Sequence, residues 1–167
     1  MMKSLRQGVL ACLTAALASH AFAQEVNPVG VWSLRAMTFV NTDTGAVSEP
    51  WGKQPVGQLT YSANGRMIAV LTADPSSRKP VDPAAPTAVE QRAALYVTSS
   101  AYSGTWSASG STFTHKVDVA TNAAWVGTNQ MRYLTLDKDT LTIDTQPIEG
   151  HDGKATYKIR LVWSRVP

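Results

Sequence analysis

The side chains with chemical reach are few, and their spacing sorts them before any fold is assumed. His115 sits in an alternating run, with Phe113, Val117 and Val119 on its own face and Thr112, Thr114, Lys116 and Asp118 on the other. Such alternation puts successive side chains on opposite faces of a β-strand. His115 therefore points with the apolar set, toward an interior. An imidazole there can hydrogen-bond a ligand carbonyl or carboxylate, or exchange a proton near neutral pH; the plainer reading is a core histidine satisfied by a neighbouring hydroxyl. Arg132 shares a face with Leu134 and Leu136. If that face is inward, Arg132 is a buried cation that needs an anionic partner or ligand. If it is outward, Met131, Tyr133 and Thr135 line the interior instead, and the pattern leaves both open. Tyr61, Tyr102 and Trp106 combine apolar bodies with polar tips, which suits a mixed pocket and a core equally. Trp51 and Trp125 lie in loops beside glycine, placed either to lid a mouth or to cover the hydrophobic ends.

Other chemistries lack their residues. Residues 24–167 contain no cysteine and two histidines, His115 and His151, the latter in a polar turn flanked by glycine. No Cys/His ligand spacing is present, so neither a zinc site nor another metal is expected. Neither G-x-S-x-G nor a phosphate-cradling glycine motif occurs, and no cofactor is implied. Carboxylates fall mainly in turns or on charged faces, as with Asp118 beside Lys116, and no inward pair for glycosidase-type catalysis stands out. No residue is assigned a catalytic role.

These residues are positioned by strands. Period-two patterns run over Val31–Val40, Gly57–Tyr61, Arg66–Thr72, Tyr102–Ser107, Ser111–Val119, Gln130–Leu136, Thr140–Thr145 and Thr156–Val166, with turn residues between them. Asn64-Gly65 predicts a type I′ hairpin, which needs positive φ at both central residues. Four prolines between Asp74 and Pro86 exclude a regular element there. Thr87 to Glu90 reads as a capping box opening one helix over Ala88–Val97, between the third and fourth strands. The first strand places Trp32, Leu34, Ala36 and Val40 together; the last places Tyr157, Ile159, Leu161 and Trp163 together. Eight antiparallel strands with mostly short turns suit an all-β, closed up-and-down barrel. Closure removes edge strands, and eight strands leave room for side chains or one small ligand. A two-sheet sandwich shares the same local signals. In a barrel the last strand pairs with the first, bringing Trp163 near Trp32, with Arg160 or Arg165 available to stack on Trp32.

The chain has 167 residues and a formal charge of +3, from 15 Lys and Arg against 12 Asp and Glu. Residues 1–23 read as a cleavable secretion signal: Lys3 and Arg6 form the positive region, Gly8 to Ala18 the apolar run, and Ala21-Phe22-Ala23 the small-residue site before Gln24. The run is shorter than the roughly 20 residues that span a bilayer. Only four apolar residues precede Cys12, which argues against acylation there. Cleavage after Ala23 removes Cys12 together with two of the 15 basic residues and none of the acidic ones, leaving a net charge of +1. The remainder, residues 24–167, is expected to fold as one periplasmic or secreted domain without disulfides. Its near-neutral charge argues against nucleic acid as a partner. Oligomeric state is not encoded in these patterns.

Gly30-Val31-Trp32 resembles the opening motif of lipocalins, although no Thr-Asp-Tyr motif follows and no disulfide is available. The chain is more similar to the lipocalin-like domain family of bacteria and fungi. The likeness rests on Pro50-Trp51-Gly52-Lys53-Gln54-Pro55-Val56-Gly57-Gln58-Leu59-Thr60-Tyr61, Asn64-Gly65-Arg66-Met67 and Ala101-Tyr102-Ser103-Gly104-Thr105-Trp106. It continues through His115-Lys116-Val117, Asn122, Trp125 to Tyr133, and Leu161 to Val166. The resemblance implies a barrel with a ligand cavity and says little about chemistry, because fold does not fix function.

The expectation is an extracytoplasmic binding module for a small hydrophobic or amphipathic ligand, with His115, Arg132, Tyr133, Tyr61, Trp106, Tyr102, Trp51 and Trp125 as candidate ligand contacts. A second reading is a cyclase or isomerase, which the resemblance permits, with His115 and Tyr61 or Tyr133 polarising a carbonyl. A third is an envelope structural protein whose barrel is filled by Trp32, Trp106 and Trp163.

Overall fold

In a computed structural model, which describes residues 26–149, 153 and 155–167, the strands form one antiparallel sheet that closes on itself. The secretion-signal reading, with Lys3, Arg6, Cys12 and the site after Ala23, lies outside the described residues, as does His151. Eight long strands make the wall: β1 (Gly30–Asn41), β3 (Val56–Tyr61), β4 (Arg66–Thr72), β5 (Ser99–Ser109), β6 (Thr112–Ala120), β7 (Asn129–Asp137), β8 (Thr140–Thr145) and β10 (Thr156–Arg165). Two-residue strands, β2 (Val47–Ser48) and β9 (Ile148–Glu149), extend the rim beside β1 and β10. β1 pairs with β3 on one side and with β10 on the other, so the wall has no free edge among its long strands. That pairing sets aside the sandwich.

The two ends of the barrel differ. At one end β3–β4, β5–β6 and β7–β8 are joined by short turns at 62–65, 110–111 and 138–139. At the other lie the long connections: 42–55, 73–98 with helix α1 (Ala88–Val97), 121–128, and 146–155. The helix has the bounds its composition predicts, but the capping box does not form. Thr87 has φ −95° and ψ 16°, which turns its hydroxyl away from the first-turn amides, and Oγ1 instead accepts from the Gln91 side chain at 2.9 Å. Arg78 Nη1 caps the far end, donating to the Leu95 and Thr98 carbonyls at 3.2 and 2.8 Å. The proline-rich segment is thereby tied to the helix C-terminus.

The β3–β4 hairpin turns differently from expectation. Gly65 has φ +79°, whereas Asn64 is not in the positive region, so the turn is not type I′. Gly65 N donates to Ser62 O at 3.0 Å, and Ser62 N to Arg66 O at 2.8 Å. This is a three-residue loop with glycine in the left-handed position, a second solution that fits strand twist.

Two bulges reset which face is inward. In β1 the register with β10 slips between Leu34 and Ala36, leaving Arg35 exposed. Trp32, Leu34, Met37 and Phe39 face the interior, and the expected inward pair Ala36 and Val40 is displaced. In β6 the slip falls between Val117 and Val119: Phe113, His115 and Val117 are buried, while Val119 is 65% exposed. One extra residue reverses the phase of everything beyond it.

The short-turn end is a closed floor. Trp32, Trp163, Leu59, Phe113, Leu134 and Leu141 are all but fully buried. Trp32 Nε1 donates to Pro28 O at 2.8 Å, which draws the N-terminal segment under the barrel. Arg165, rather than Arg160, lies over the Trp32 ring, 4.2 Å from its centroid, and donates to Val29 O at 3.0 Å. Arg160 is occupied outside by a bidentate pair with Asp144.

Gly104 is where β5 passes β6 at the bulge, and a Cβ there would fall inside contact distance of the Lys116 carbonyl. Gly110 has open space around the same position. Gly104→Ala is expected to lower stability by about 3 kcal/mol or to prevent folding. Gly110→Ala, at φ +60°, should cost about 1–2 kcal/mol of backbone strain. Urea titration of both variants checks the difference in rank.

Candidate functional site

Above the packed floor the barrel opens into a cavity of about 740 Å³. Its wall is built from inward positions of the long strands: Met37 and Phe39 of β1, Leu59 of β3, Ala69 and Leu71 of β4, Ile143 of β8, and Ile159, Leu161 and Trp163 of β10. The rim comes from the long connections, with Trp51, Val97, Asn122, Trp125 and Ile148 around it. Asp74 fixes one side of the rim. Its carboxylate accepts from Ser76 N and Oγ at 2.9 and 2.7 Å and from Gln54 N at 3.2 Å, and its own amide donates to Trp51 O at 2.8 Å. The Ser76 hydrogen bonds hold the Asp74 carboxyl below its ordinary pKa. Further along the same part of the rim Tyr96 Oη, at the helix end, donates to Thr121 O at 2.7 Å. Trp125 meets Tyr102 edge-on, with ring centroids 5.4 Å apart.

The charged residues that line the cavity are Arg132 and Glu149. Arg132 is 7% exposed and lines the cavity. Its described hydrogen bond is from Nη1 to the Met131 carbonyl at 2.8 Å, and among the described residues no carboxylate lies within ion-pair distance of it. Phe113 pairs with Arg132 and His115 with Gln130 across β6 and β7, so the guanidinium is a diagonal neighbour of the imidazole. The face of Leu134 and Leu136 is thus the inward one, and Tyr133, 41% exposed, stands on the outside.

Behind the wall, His115 bridges two phenols. Tyr61 Oη lies 2.7 Å from Nε2, and Tyr102 Oη 3.1 Å from Nδ1. His115 is 1% exposed, and burial first, then the Arg132 charge, push its pKa down to about 3. A neutral imidazole donates through one nitrogen and accepts through the other. Tyr61 is fully buried, and its hydroxyl has no other partner among the described residues. Its proton must therefore go to Nε2, since the reverse direction strands a buried donor at a cost of about 1–3 kcal/mol. Nδ1–H then donates to Tyr102, whose own proton is left for an acceptor beyond the network. Burial also raises the Tyr61 pKa well above the ordinary phenol value, so it stays protonated.

A closed eight-stranded wall, a floor locked by Trp32 and Arg165, and a cavity open at the long-loop end form the frame for the comparison with known sequences. The sequence profile of the lipocalin-like domain matches residues 29–166, nearly the whole barrel. The chain belongs to the lipocalin-like domain family. A search of curated proteins finds no significant match. Membership supports a binding-protein kind of function at the level of the fold.

Within this lipocalin-like barrel the candidates divide. Trp51, Tyr102, Trp125 and Arg132 line the cavity. His115, Tyr61 and Trp106 do not: His115 and Tyr61 form the buried network, and Trp106 stacks on Phe113 and donates Nε1 to Ser62 O near the floor. Tyr133 faces outward. A carbonyl-polarising role for His115 with Tyr61 or Tyr133 therefore has no cavity contact behind it. The interior is neither wholly filled nor wholly open, since tryptophans fill the floor half alone. Met37, Phe39, Thr145 and Ile159 were missed as cavity residues. For Met37 and Phe39 the signal existed: the large apolar residues of the first strand shift from even to odd positions across Arg35.

The buried histidine sets a pH dependence. Its pKa of about 3 in the fold lies below the value of about 6.5 in the unfolded chain, so the unfolded state binds the extra proton as pH falls. The stability held by neutral His115 is complete above pH 6.5 and is lost at up to about 1.4 kcal/mol per pH unit between 6.5 and 3. Urea midpoints at pH 7, 6 and 5 should fall more steeply for the unaltered protein than for His115→Gln.

Proposed function

We propose that this lipocalin-like protein is an exported carrier that holds one small, largely apolar or amphipathic ligand in the mouth half of its barrel. The observation that carries the reading is the cavity of about 740 Å³, whose lining is mainly aliphatic and aromatic with hydroxyl groups and one cation among it. Sites for small molecules have this character, at roughly 300–1,000 Å³. The driving force is burial of apolar ligand surface, about 25 cal/mol per Å². The floor supports the same reading: a barrel shut at one end by Trp32 and Arg165 retains a ligand instead of passing it through.

Native mass spectrometry of the freshly purified protein should reveal a species heavier than the bare chain by one small molecule. Titration of a delipidated sample with a panel of lipids and aromatic compounds should change tryptophan fluorescence, because Trp51, Trp125 and Trp163 line the cavity. A bare mass together with an unresponsive spectrum would overturn the proposal.

Export rests on the sequence of residues 1–23. N-terminal sequencing of protein recovered from outside the cytoplasm should start at Gln24. Recovery of the intact N-terminus in the cytoplasmic fraction alone would refute export.

A further inference from the structure

The cavity lining includes one cation, Arg132, that pairs with no carboxylate among the described residues. It is nine-tenths buried on a wall that is otherwise mostly apolar. A buried charge left in that state is costly, and a guanidinium that spends one N–H on the Met131 carbonyl keeps others to donate. The hydrogen-bond chain through His115 adds a second donor. With Tyr61 donating to Nε2 and Nδ1–H donating to Tyr102, the Tyr102 hydroxyl proton is free, and Tyr102 lines the same cavity as Arg132.

Resting on the carrier reading above, we propose that the ligand is a monocarboxylate amphiphile, seated with its headgroup inward on Arg132 and Tyr102 and its tail toward the rim. One cation calls for one negative charge, and the planar fork of a guanidinium matches a carboxylate. A phosphate monoester, with close to two charges, would leave one uncompensated. The orientation follows from where the positive charge lies: Arg132 is buried on the wall. The rim, with Trp51, Val97, Trp125 and Ile148 among the neutral Thr98, Ser99, Thr121 and Asn122, offers no cation among the described lining residues. Glu149, a carboxylate that lines the rim, would repel an anion seated there. The neutral His115 cannot compete with Arg132 for the headgroup, since both of its nitrogens are engaged by tyrosines.

The experiment is calorimetric titration of the delipidated protein at pH 8 with three probes of one chain length: dodecanoate, dodecanol and dodecyltrimethylammonium. Dodecanoate is expected to bind at least tenfold more tightly than the other two. Arg132→Met should remove that preference while leaving dodecanol affinity within about twofold, and Tyr102→Phe should weaken dodecanoate several-fold. Equal affinity for dodecanoate and dodecanol in the unaltered protein would overturn the headgroup assignment and leave the carrier reading standing. Failure of all three probes to bind would overturn the headgroup assignment, and the carrier reading falls with it when the native mass is bare and the lipid and aromatic panel gives no response. Should Arg132→Met fail to fold, as checked by circular dichroism, the headgroup comparison in the unaltered protein decides the matter alone.

Discussion

The pairing of β1 with β10 is the constraint on which the rest depends. It joins the beginning and the end of the described chain over the whole length of both strands, from Trp32 beside Arg165 to Asn41 beside Tyr157. Only with that seam closed does the sheet have an inside, and only then do period-two patterns mean buried against exposed. The seam also assembles the floor, since it sets the Arg165 guanidinium over Trp32 and stacks Leu34 beside Trp163. A single bulge within it decides that Met37 and Phe39, not Ala36 and Val40, reach the cavity.

The interior is divided by polarity as well as by depth. The floor is a conventional apolar core, with Trp163 Nε1 the buried side-chain donor left unpaired among the described residues. Above it, His115 is kept neutral and fully engaged, while Arg132 remains charged and incompletely engaged. The two are linked, because the guanidinium charge is one of the causes that hold the imidazole neutral. A histidine chosen for proton exchange would face the cavity with a nitrogen to spare. This one has both nitrogens within hydrogen-bond distance of tyrosine hydroxyls, 2.7 Å from Tyr61 and 3.1 Å from Tyr102.

Much of the fold was legible because alternation, turn residues and helix composition are local properties. All eight long strands and the bounds of the helix follow from them. The bulges at Arg35 and Asp118 were not read, since an extra residue is revealed by its partner strand and not by its own sequence. The turn at Asn64-Gly65 was right in place and wrong in type, because glycine alone can supply the left-handed residue. Arg132 and Tyr133 could not be separated by alternation, which is symmetric between faces; closure of the sheet breaks that symmetry. His115 was correctly turned inward but was expected at the cavity. Its distance from the cavity depends on Tyr102 standing in front of it, a relation between strands that no single strand encodes.

The contrast between short turns at the floor and long connections at the mouth has a consequence for how the molecule moves. β3–β4, β5–β6 and β7–β8 each close through a few residues, so their contacts are local in sequence and cost little loop entropy to form. The rim is held across longer connections by clasps such as Asp74 to Trp51 and Tyr96 to Thr121. Opening free energies therefore grade along the barrel axis, from low at the mouth to global at the floor. Such a molecule can loosen its rim many times without approaching the unfolded state.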